Sequence, residues 1–181
     1  MTFFLHNLTA FHGWAVAECG EIEIGMAELQ QGIFELRKLG AHNNRSVFLS
    51  QLAQQHAKLG QFETSIELLA EAFATMAQPG IGEHCYKAHL HCIQGDVLMA
   101  KGASESVVEA EYYRAIKVAQ KQAAKSFELH AATNLARLWQ TQGKIIEACN
   151  LLQPVYDWFT EGFDTHDLKE ARALLDQLTF Y

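Results

Sequence analysis

One run of side chains in this sequence suggests coordination chemistry: His84-Cys85-Tyr86-Lys87-Ala88-His89-Leu90-His91-Cys92. Neutral imidazole and thiolate are good zinc ligands, and two such residues four apart on a helix can reach one ion. Cys85, His89, Cys92 and Asp96 fall at i, i+4, i+7 and i+11, which predicts a shared helix face; His130, 41 residues after His89, would approach from a later helix. Residues seven and eleven apart on one helix lie about 10 to 16 Å apart along its axis. All four therefore cannot grip one ion; at best two adjacent members and a residue of a neighbouring helix would. Cysteine also serves as a small apolar core residue. No metal and no cofactor are expected, and Cys85, His89, Cys92 and His130 are the nearest candidates for metal ligands. Nothing places a Ser or Cys nucleophile beside a His and an Asp. The GxxxxGK[ST] phosphate loop is missing as well. The chain is expected to be non-catalytic.

Helices must position these side chains. Only two prolines, Pro79 and Pro154, interrupt a chain rich in Ala, Leu, Gln and Glu. Four stretches align: ECGEIEIG at 18–25, KLGQFETS at 58–65, AKGASESV at 100–107 and TQGKIIEA at 141–148. Their glycines, Gly20, Gly60, Gly102 and Gly143, recur every 40 to 42 residues. Each follows one amphipathic segment and precedes another, as a helix C-cap does in an antiparallel helix pair. Small residues stand seven positions earlier at Gly13, Ala53, Gly95 and Ala136. Others follow at Gly25, Ser65, Ala148 and, seven further on, Gly32, Ala72 and Ala115. Small side chains there let paired helices approach closely.

This arrangement resembles the tetratricopeptide repeat (TPR) over roughly residues 6–160, with a period longer than the usual 34. The expected fold is all-α: a right-handed superhelix of antiparallel TPR-like helix pairs, with about four repeats and a C-terminal capping helix. One domain is expected over 1–181, with repeats at about 3–40, 43–80, 82–123 and 125–161 and the cap at 165–179. The nine helices are read at about 3–18, 21–39, 43–59, 62–78, 82–101, 104–123, 125–142, 144–161 and 165–179.

Residues 131–178 carry more specific landmarks: Leu135-Ala136-Arg137-Leu138-Trp139, Gly143-Lys144, Pro154-Val155-Tyr156, the run WFTEGFDT at 158–165, and Asp167-Leu168-Lys169-Glu170-Ala171. With His12-Gly13-Trp14-Ala15 upstream, this segment is similar to the C-terminal helical-repeat region of bacterial signal-transduction ATPases, proteins often fused to adenylate/guanylate cyclases. The resemblance implies a sensor or docking array without the catalytic parts. Asp164 or Thr165 is expected to N-cap the last helix. Leu168, Ala171, Leu174, Leu175 and Leu178 form its apolar stripe. Trp158, Phe159 and Phe163 are expected beneath the cap as core.

In such arrays the first helices of successive pairs line a concave binding surface. Counting from the small residues assigns Asn7, Phe11, Trp14 and Glu18, then Val47, Ser50, Gln54 and Lys58, then His89, Cys92, Asp96 and Met99, then His130, Thr133, Arg137 and Gln140 to it. The expected contact residues are Phe11, Trp14, Gln54, Lys58, His89, Asp96, His130 and Arg137. Trp and Arg are frequent binding hot spots; Arg137 would either meet a carboxylate or phosphate in two-point fashion or pair with Asp96 or a nearby glutamate.

Fourteen Lys and Arg against 21 Asp and Glu give a formal charge of −7, the wrong sign for a general nucleic-acid binder. No apolar run reaches membrane-spanning length, and MTFFLHNLTA lacks the features of a signal peptide. A cytoplasmic protein with reduced cysteines is expected. Its partner is expected to be a peptide or protein domain, with a small molecule as the alternative. A homodimer through apolar ends is a further expectation, from Phe3, Phe4, Leu5 and Leu8 at one end and Phe180 and Tyr181 at the other.

Overall fold

The computed structural model describes residues 2–41, 43–78 and 83–179. These residues form nine α-helices, one 3-10 turn and no strand. The chain divides into two compact units, Met1–Tyr86 and Lys87–Tyr181. Unit 1 holds α1 (Thr2–Glu18), α2 (Ile22–Lys38), α3 (Arg45–Lys58), α4 (Phe62–Met76) and the 3-10 turn Glu83–Tyr86. Unit 2 holds α5 (Lys87–Lys101), α6 (Glu105–Lys121), α7 (Lys125–Thr141), α8 (Ile145–Tyr156) and α9 (His166–Thr179).

The two helices of a pair are joined by a tight, hydrogen-bonded turn. Gly60 has φ +74° and Gly143 φ +75°, a conformation that disfavours a side chain. The residue after each closes the helix end by donating its N–H five residues back, from Gln61 to the His56 carbonyl and from Lys144 to the Trp139 carbonyl, both at 2.9 Å. The same closure ends α6 without glycine: Ala123 takes φ +53° and Ala124 donates to the Ala119 carbonyl. The turn glycines therefore work as expected, and Ala123 is an additional helix stop.

Close approach explains the small residues. A Cβ on Gly13 would lie 2.5 Å from the Leu29 nitrogen, and one on Gly25 would lie 2.4 Å from the Ala17 nitrogen. Those separations are below van der Waals contact, so α1 and α2 touch backbone to backbone. In unit 2 the space above Gly95 is filled by the Tyr112 ring. The fully buried Ser65, at a small-residue position, donates its hydroxyl to the Ala53 carbonyl at 2.8 Å.

Unit 1 centres on Ala10, Met26, Leu29, Leu36, Phe48 and Leu52. The larger core of unit 2 runs from Cys92 and Tyr112 through Leu135 and Leu152 to the α9 stripe. Leu168, Ala171, Leu174, Leu175 and Leu178 are all buried, as their spacing predicts.

Four local expectations are corrected. Helix α8 stops at Tyr156, one turn short of the expected 161, because the chain turns at Asp157 and reaches α9 through bends and turns. Trp158 (57% exposed) and Phe163 (47% exposed) consequently face outward, and only Phe159 packs on the core. Trp158 instead lies under the Lys125 ammonium, 5.6 Å from ring centre to nitrogen. The Thr165 hydroxyl does not act as the expected cap: it donates to the Gly162 carbonyl at 2.7 Å. Helix α5 begins at Lys87, so Cys85 belongs to the 3-10 turn before it and does not share a helix face with His89, Cys92 and Asp96.

Candidate binding site

Asp96, Met99, His130, Asn134, Arg137, Leu138, Thr141 and Glu170 line a cavity of about 520 Å³ in unit 2. Helix α5 contributes Asp96 one turn after Cys92. Helix α7 contributes His130, Asn134 and Arg137, spaced i, i+4 and i+7 along one face. Glu170 comes from the first turns of α9.

Asp96 anchors the floor. Its Oδ1 accepts the Tyr112 hydroxyl at 2.7 Å and the Asn134 amide at 2.9 Å. The Asn134 amide also reaches the Cys92 Sγ at 3.6 Å. Burial pushes the Asp96 carboxyl above its ordinary range, while these hydrogen bonds and the charges of His130 and Arg137 oppose the rise. Burial also raises the Cys92 thiol, with the Asp96 charge adding to it, and raises the Tyr112 phenol for the same two reasons. Cys92 is thus a protonated thiol at neutral pH, unsuited by itself to nucleophilic attack.

Arg137 forms the rim. Its guanidinium meets Glu170 at 2.9 Å and the Asn134 side-chain oxygen at 3.4 Å. The pairing expected with a carboxylate is therefore made across to α9, with both side chains about four-tenths exposed. His89 stands beside this cavity and does not line it. Its ring stacks on Phe127 at 5.4 Å and lies 6.0 Å from the His130 ring. Burial, with the neighbouring His130 charge, lowers its pKa to about 4, against a weaker opposing effect of Asp167. Among the described residues its buried Nδ1 has no hydrogen-bond partner.

In unit 1, Phe11 packs edge-on against Phe48 at 4.8 Å and Trp14 is half-buried on the same helix. Lys58 bridges to Glu18 at 2.9 Å, and Gln55 donates to the same carboxylate at 2.7 Å. Gln54, the residue before Gln55 on α3, is half-buried. Of the wider set assigned to the concave surface, Asn7, Val47, Ser50, Cys92 and Thr133 are buried. Their helices are rotated so that these positions face the packing.

Asn134 and Tyr112 escaped the sequence reading. Asn134 stands four after His130 and three before Arg137, a spacing that already put it on their face. Tyr112 is on α6, and Glu170 on α9, and neither carries a local signal for its partner.

No family model matches the chain. An uncharacterized protein of Rhizobium meliloti (strain 1021) is 29% identical over 129 residues, a match covering 71% of this chain and 12% of that protein. The chain thus spans about an eighth of that relative's length. Two crystal structures of a kinesin light chain-like protein from Podosopora anserina, built of nearly identical TPR-like repeats, superpose with TM-scores of 0.69 and 0.72. Each is 18% identical and covers 99% of this chain, and the matches span 95% and 87% of those chains. The fold is a TPR-like helical array.

Proposed function

We propose that this TPR-like array is a non-catalytic docking segment of a larger bacterial signalling protein, holding a peptide or a partner domain's loop on its first-helix surfaces. The carrying observation is the cavity of unit 2, where the Arg137–Glu170 pair, Asp96, His130 and Asn134 surround the apolar Met99 and Leu138. Such a lining offers hydrogen bonds and charge for a peptide backbone or acidic side chain, and apolar surface for its neighbour. In unit 1, Phe11, Trp14, Gln54 and Lys58 are the corresponding contact residues. The signalling context rests on the sequence resemblance of residues 131–178 alone; the uncharacterized bacterial relative, several times longer than this chain, supports only the reading as a segment of a larger protein.

A second reading has its own observation. The cavity volume falls within the range of about 300 to 1,000 Å³ typical of small-molecule sites. A regulatory metabolite would then take the place of the peptide.

Affinity capture with wild-type bait and with Trp14→Ala/Arg137→Ala bait, followed by titration of the captured partner's peptides, tests the first reading. A partner lost from the variant, with peptide affinity weakened about tenfold or more, is expected. Equal peptide binding by both proteins would overturn the docking site. A saturable rise in melting temperature with a small molecule, and no peptide binding, would favour the sensor.

A further inference from the structure

We infer that Cys92, Asp96 and His130 form a binding site for a divalent transition metal of the zinc class, with one coordination position open to the cavity of unit 2. A thiol, a carboxylate oxygen and an imidazole nitrogen from these three residues lie within 4.8 Å of one another. Two come from successive turns of α5 and the third from α7, so the trio spans two packed helices. This is the one geometry left open by the axial spacing of the His/Cys run: two adjacent helical residues and a neighbour. Cys85 and His89 are outside it.

The donor set selects the ion. Mixed sulfur, nitrogen and oxygen ligands suit zinc, whereas calcium and magnesium require oxygen. Donors 2.0 to 2.3 Å from a tetrahedral ion sit about 3.3 to 3.7 Å apart, so closure asks for roughly 1 Å of side-chain movement. His130, half-buried at the cavity edge, has room to supply it. On binding, Cys92 releases its proton to solvent and coordinates as thiolate.

The surrounding groups already hold the ligands. Both hydrogen bonds to Asp96 end on Oδ1, from Tyr112 and Asn134, which leaves Oδ2 for the ion. Asn134 simultaneously donates toward the Cys92 sulfur. Partners that orient ligands in this way are characteristic of working metal sites. Asp96 and His130 both line the cavity, so the fourth position faces it and takes water or an anionic group of whatever docks beside Arg137.

The test uses the intact, untagged chain, stripped with chelator and then titrated with Zn²⁺ or Co²⁺ alone. One ion per chain is expected, with Co²⁺ showing thiolate-to-metal charge-transfer absorption in the near ultraviolet. Cys92→Ala should abolish that absorption, and His130→Gln should lower affinity at least tenfold. Tyr112→Phe, which keeps every ligand, should weaken binding by about tenfold or more. Circular dichroism of each variant verifies folding. A folded wild-type chain with no cobalt–thiolate band, or binding unchanged in both Cys92→Ala and His130→Gln, would overturn the site.

Discussion

His89 shows how burial alone changes a side chain's chemistry. Its neutral form is favoured because the charged ring would lose solvent without gaining a partner. The folded pKa of about 4 lies below the ordinary 6.5, so the unfolded chain binds the proton more readily. The stabilising contribution is therefore complete above about pH 6.5 and is lost as pH falls toward 4. In chelator-containing buffer, the melting temperature should drop across this window, and His89→Gln should flatten part of the drop. A His89 ring resonance titrating near 6.5 by NMR would contradict the assignment. Arg137 behaves differently. Its pair with Glu170 is substantially exposed and contributes about 1 kcal/mol or less. Arg137→Ala should thus leave folding nearly intact, which makes it a clean probe of binding.

Helix stops and helix contacts give predictions of different size. At Gly143 a Cβ meets nothing within 4 Å, so Gly143→Ala incurs only the left-handed backbone cost, about 1 to 2 kcal/mol. At Gly13 the added Cβ would collide with the Leu29 backbone, and α1 and α2 must separate. Gly13→Ala should therefore cost more, about 3 kcal/mol or above, through overpacking against backbone that cannot yield. Ala123→Gly should do the opposite and stabilise by roughly 0.5 to 1 kcal/mol, because Ala already holds the strained conformation there. Urea unfolding of the three variants beside wild type ranks them. Equal losses for Gly13→Ala and Gly143→Ala would refute the backbone-contact account.

For the molecule as a whole, the exposed apolar side chains mark the surfaces available to partners. Phe4 (71% exposed) and Leu8 (65% exposed) stand with Leu5 on the outer side of α1, while Phe180 and Tyr181, assigned to the other apolar end, lie outside the described residues. A contact between copies through α1 is expected. Light scattering should show mass rising above the monomer with concentration, and Leu8→Glu should return it to the monomer. A wild-type monomer at high concentration would remove this contact. No helix among the described residues is long and apolar enough to cross a membrane.

The helix pairs were legible in the sequence because their signals are local. A turn glycine, a small residue one or two turns away and the apolar stripe of α9 each act within a few residues of backbone. These features determined the period, the stops and the packed faces. Local signals also erred where the competition was tertiary: WFTEGFDT reads as apolar core, yet its Trp158 and Phe163 turn outward once α8 ends at Tyr156. Only the tertiary structure decided which chemical groups meet. Cys92 and Asp96 were already one turn apart on α5, but His130 meets them from α7, Tyr112 meets Asp96 from α6, and Glu170 meets Arg137 from α9. Their meeting depends on the rotation of each helix about its axis, which is set by the sum of packing contacts along its whole length.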